Sequence, residues 1–61
     1  MSIYREGTKV YQSLTDGTDP KIIANFNWDR ENKVWCLATI GEHTTEEALK
    51  ILSCFEEFKN S

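Results

Sequence analysis

Little in this chain belongs to the usual equipment of a catalyst. It has one histidine, one proline and three glycines in 61 residues. Gly7, Gly17 and Gly41 stand apart as turn or strand-end residues and assemble no Gly-rich phosphate loop, so nucleotide hydrolysis has no support. The two cysteines, Cys36 and Cys54, fall short of the two to four disulfides with which secreted domains of this size are stapled, and both are read as reduced thiols. No segment approaches the ~18 apolar residues that span a bilayer, and no basic stretch joins an apolar run of signal length at the N-terminus. These absences lead to the expectation of a cytoplasmic protein.

The same scarcity bears on sites. His43 with Cys36 and Cys54 would supply three ligands, yet their spacing matches no zinc pattern and no Cys-x-x-Cys is present, so neither metal nor cofactor is expected. His43 reads instead as an exposed residue ahead of a helix cap. Ser13 and Ser53 sit in no strained nucleophile turn, which leaves acyl transfer without a serine. Glu46-Glu47 and Glu56-Glu57 are paired carboxylates in sequence only, because neighbours on a helix point about 100° apart and share no proton. The chain is expected not to be an enzyme.

What is present is an aromatic supply of two Trp, three Phe and two Tyr, enough to argue for a folded domain. Sixty-one residues make one domain, whose folding buries only about 60% of the unfolded chain's surface. Formal charge is −3, the opposite of a basic nucleic-acid footprint.

Alternation of apolar and polar residues marks a strand over about residues 9–15, with Val10, Gln12 and Leu14 on one side, closed by Asp16-Gly17-Thr18-Asp19-Pro20. A second strand runs over about 21–28, where Ile22, Ala24, Phe26 and Trp28 share a face. After the polar turn Asp29-Arg30-Glu31-Asn32, a third covers about 33–40. Residues 1–8 read as either an arm or an additional edge strand. Thr44-Thr45-Glu46-Glu47 spells a capping box, and Ala48, Ile51, Leu52, Phe55 and Phe58 form a stripe along a helix over about 45–59.

An apolar sheet face and an apolar helix stripe must cover each other. The expected fold is therefore a single α+β domain, a two-layer β-β-β-α arrangement with a three-stranded antiparallel sheet on one C-terminal helix. The expected core is Val10, Leu14, Ile22, Ala24, Phe26, Trp28, Ala48, Ile51, Leu52, Phe55 and Phe58.

The last strand is apolar on both sides, with Val34, Cys36, Ala38 and Ile40 in one row and Trp35 and Leu37 in the other. The hairpin register decides which row faces away from the helix, and the sequence leaves it open. Either Ile3 and Tyr4 fold over the outward row, or the patch is small and tolerated, or it is a contact surface for a second copy or another protein. Tyr11, Trp35, Leu37 and Ile40 are the candidate partner-binding residues, with Trp35 as anchor. The alternative is a nucleic-acid-binding sheet, with Tyr11 and Trp35 stacking on bases and Arg5, Lys9, Lys21, Arg30 and Lys33 as its cations. Glu42, Glu46, Glu47, Glu56 and Glu57 make the helix side acidic and the sheet side mildly basic.

Between Phe26 and Leu49, Trp28-Asp29 precedes a turn, Val34-Trp35 opens a strand and Thr45-Glu46-Glu47-Ala48 starts a helix. This stretch, somewhat under half the chain, resembles the N-terminal domain of HicB-type antitoxins. The resemblance implies a small regulator that binds a larger protein. That family's DNA-binding region has no counterpart here, so operator binding is not implied. The order of three strands before one helix is also similar to the arm-binding domain of phage-type tyrosine integrases, which implies the nucleic-acid alternative. The functional expectation is a small interaction module that regulates or inhibits a larger protein, in the manner of antitoxins or phage-encoded modulators.

Overall fold

A computed structural model describes residues 2–14 and 19–61. Five elements follow one another: β1 (Ser2–Glu6), β2 (Lys9–Ser13), β3 (Lys21–Asp29), β4 (Val34–Thr39) and α1 (Thr45–Asn60). The strands form one antiparallel meander in the order β1-β2-β3-β4, with the helix on one face. The sheet thus has four strands rather than the expected three. The opening residues are an edge strand because Gly7, at φ 64°, begins a two-residue turn with Thr8 that pairs Glu6 with Lys9. Glycine at that first central position is what such hairpins favour. Ile3 joins the core margin on the helix side, at the far end of the sheet from β4, so it folds over no part of the last strand.

The β2–β3 ladder contains a bulge. Lys9 pairs with Asn25 and Val10 with Ala24, whereas Tyr11 pairs with Ile22, so Ile23 is an extra residue in β3. An extra residue resets the in-and-out alternation. Ile23 (1% exposed) and Ala24 both enter the core, and Ile22 (37%) does not. The expected core is corrected accordingly: Ile23 replaces Ile22. Leu14 is exposed just past the end of β2, and residue 15 of the expected first strand lies outside the described residues.

The β3–β4 hairpin pairs Asp29 with Val34 around a four-residue loop. Asp29 Oδ1 accepts from the backbone N–H groups of Glu31 (3.0 Å) and Asn32 (3.3 Å), and Oδ2 from Asn32 Nδ2 (2.8 Å). These bonds hold the Asp29 carboxyl below its usual range, the Asn32 side chain contributing most. Lys33 closes the loop at φ 54°. The resulting register puts Phe26 beside Leu37 and Trp28 beside Trp35.

The helix begins at the predicted cap. Thr44 is extended (φ −70°, ψ 165°), its Oγ1 accepts from Glu47 N (3.2 Å), and Glu47 Oε1 accepts from Thr44 N (2.8 Å). Ile51 and Phe55 are buried against Val10, Ile23, Ala24 and Phe26, and Phe58 packs at the edge of this cluster, its ring 5.1 Å from Phe26. Leu52 was expected in the core but is 47% exposed, and Trp28 likewise at 49%. Leu52 sits about 100° round the helix from Ile51. Trp28 lies near the end of β3 and meets Trp35 edge-on at 5.5 Å.

The two isoleucine contrasts test this placement. Ile23→Ala and Ile51→Ala should each lose about 2–5 kcal/mol in urea unfolding. Ile22→Ala and Leu52→Ala should each lose less than about 1 kcal/mol; a larger loss from Ile22→Ala than from Ile23→Ala would refute the bulge.

Candidate functional site

Side-chain alternation on the paired strands divides the sheet. The helix side carries Ile3 and Arg5 from β1, Val10 and Gln12 from β2, Ala24, Phe26 and Trp28 from β3, and Trp35, Leu37 and Thr39 from β4. On the opposite side lie Tyr4, Tyr11, Ile22, Val34, Cys36 and Ala38, with no second layer of the described residues over them.

Tyr11 is the middle of a row of three apolar or aromatic residues on this open face. It stands directly between Tyr4 on β1 and Ile22 on β3, and the two phenol rings stack with centroids 5.7 Å apart and planes 23° from parallel. Tyr4 was not among the candidate residues. Its signal was available: residues 4 and 11 are symmetric about Gly7-Thr8, so a two-residue turn there places them face to face. Ile40, just past β4, is exposed, and its carbonyl accepts from His43 Nε2 at 2.8 Å.

Trp35 and Leu37 lie elsewhere. The register set by the four-residue loop turns both toward the helix, where they are half-buried, and Trp35 meets Phe58 edge-on at 4.8 Å. The outward row of the last strand is therefore Val34, Cys36 and Ala38, and the expected anchor Trp35 is a helix-side residue.

The five candidate cations are dispersed. Arg5 projects to the helix side, with its guanidinium 5.5 Å from the Phe58 ring centroid and Nη1 donating to the Gly7 carbonyl at 2.8 Å. Lys21 pairs with Gln12 of the helix-side row, and Arg30 and Lys33 lie in the β3–β4 loop. Lys9 alone shares the face of the tyrosines, directly across from Glu6.

A hollow of about 260 Å³ opens beside the helix start, lined by Ile3, Gln12, Thr44, Glu46, Glu47 and Lys50. Its polar groups are largely committed to structure. Glu47 Oε1 serves the cap, while Oε2 accepts from Gln12 Nε2 at 2.8 Å. The Thr44 backbone donor and then the Gln12 amide hold the Glu47 carboxyl below its usual range. On the helix flank, burial and then the Glu57 charge push the Cys54 thiol up against a smaller opposing pull from Arg5, which keeps it protonated and weakly nucleophilic at neutral pH. Among the described residues no group of three or more His, Cys, Asp or Glu side chains comes together to hold a metal ion, and no helix is long and apolar enough to cross a membrane.

Comparison with family models, with curated proteins and with solved structures finds no match for this chain.

Glu47 generates a pH prediction. Its folded-state pKa is depressed, so its stabilising contribution is present above the unfolded value and lost as pH falls through the folded one. Glu47→Gln should therefore flatten the acid limb of the stability–pH curve measured by urea unfolding. Thr44→Ala should cost about 1 kcal/mol at neutral pH through loss of the cap.

Proposed function

We propose that this chain is a non-enzymatic interaction module that binds a larger protein and regulates or inhibits it, in the manner of small antitoxins or phage-encoded modulators. The stacked Tyr4–Tyr11 pair beside Ile22, on a sheet face with no layer of the described residues over it, carries this reading. Tyrosine gives a large contact area with few rotatable bonds, and rings already stacked lose little further freedom on docking. An apolar patch of this kind on a small chain marks a contact surface. The dispersed cations weigh against nucleic acid as the ligand, because a sheet that binds it sets its stacking rings in a basic groove.

The test starts by identifying a bound protein in lysate of the source organism. The purified pair is then titrated with the parent chain and with Tyr4→Ala/Tyr11→Ala. Loss of two central aromatic anchors should weaken binding by at least about tenfold. The double variant should keep its fold, measured by circular dichroism, since neither ring is in the core. Unchanged affinity would remove the tyrosine face from the interface. Tight binding of single-stranded oligonucleotides with a steep salt slope would defeat the reading altogether.

A further inference from the structure

We infer that β4 docks antiparallel against β4 of a second copy of this chain, giving a two-fold dimer with one continuous eight-stranded sheet. The outer edge of β4 is unpaired among the described residues, since the sheet ends there. Edges of this kind are normally blocked by charge, proline or a bulge. Val34-Trp35-Cys36-Leu37-Ala38-Thr39 contains no charged residue and no proline, and its register with β3 runs without a break. The opposite edge does carry such a block, because β1 holds Arg5 and Glu6 within its five residues.

Charge identifies the occupant. Lys33 stands immediately before β4 and Glu42 shortly after it, so the charge nearest the strand is basic at one end and acidic at the other, with Arg30 and Glu31 further back in the loop. An antiparallel copy of the same edge meets it with the opposite polarity at both ends, whereas a parallel copy sets like charge on like. A two-fold axis normal to the sheet pairs residues that face the same side. Centred on Leu37, it sets Leu37 against Leu37 of the second copy, Trp35 against Thr39, Cys36 against Ala38, and Lys33 one residue from Glu42. Both helices then lie on one side of the joined sheet. Leu52, on the helix flank away from Glu47 and Gln12, is left exposed on the side toward β4.

Trp28, Val34 and Ile40 are all exposed in or beside the last hairpin. This dimer uses the edge of the sheet and is independent of the tyrosine face proposed for the larger partner.

Sedimentation equilibrium over a concentration series should find the parent chain dimeric. Cys36→Lys, at an exposed edge position, should give a folded monomer at concentrations where the parent is dimeric. In a Cys54→Ser background, Ala38→Cys should form a cross-linked dimer on mild oxidation, because the introduced thiol faces Cys36 of the other copy. Cys54→Ser alone should cross-link far less. A parent chain that stays monomeric up to its solubility limit overturns the inference. So does a dimer that survives Cys36→Lys, or an Ala38→Cys variant that cross-links no better than its background.

Discussion

One helix of sixteen residues has to cover a sheet of four strands, and most of what distinguishes this molecule follows from that mismatch. The helix turns Ile51 and Phe55 inward, and together with Val10, Ile23, Ala24 and Phe26 they make the buried core. A core this thin leaves little margin in a chain of this length. The aromatic rings beyond it extend the packing: Phe26 lies 5.0 Å from Phe55 and 5.1 Å from Phe58, and Phe58 in turn meets Trp35. Arg5 from the opposite edge lies over the Phe58 ring, so the helix end is tied to both outer strands. Where the helix runs out, apolar surface is left over.

The start of the helix is anchored by a different kind of contact. Glu47 divides its two oxygens between the cap of its own helix and the Gln12 amide of β2. The same carboxylate that accepts from the backbone N–H of the cap residue Thr44 also fixes that end of the helix to the sheet. Gln12 is nearly buried and occupies a helix-side position between Ile3 and Lys21 on the neighbouring strands. A polar residue in the core row is satisfied because the cap lies within reach, so local helix chemistry and tertiary packing depend on one side chain.

The helix was legible because capping and periodicity speak independently: Thr44 and Glu47 mark its start, and Ile51, Phe55 and Phe58 recur on one face. The central strand was legible as a strand, but not in its facing below Ala24. Ile22 and Ile23 are identical in chemistry, and only the pairing with Val10 and Tyr11 shows which of them is the extra residue. The last hairpin resisted for a related reason. Its loop closes on Lys33 in the left-handed region, a conformation that glycine or asparagine would have announced and lysine does not. Since both rows of β4 are apolar, no pattern within the strand corrects for that silence. The first strand is short and half polar, and only the Gly7-Thr8 turn betrays it.

The bulge has a consequence that reaches the surface. Had β3 alternated evenly against β2, Ile22 would sit with Ala24 and Phe26 against the helix, and Ile23 would face out from the opposite side. The extra residue instead lets two successive apolar side chains, Ile23 and Ala24, enter the core, and it brings Ile22 beside Tyr11 on the open face. One irregularity thereby adds Ile23 to the core and completes the Tyr4–Tyr11–Ile22 row across three strands. Bulges are found where a strand must re-aim a side chain, and here the re-aimed residue is the one that joins the stacked tyrosines.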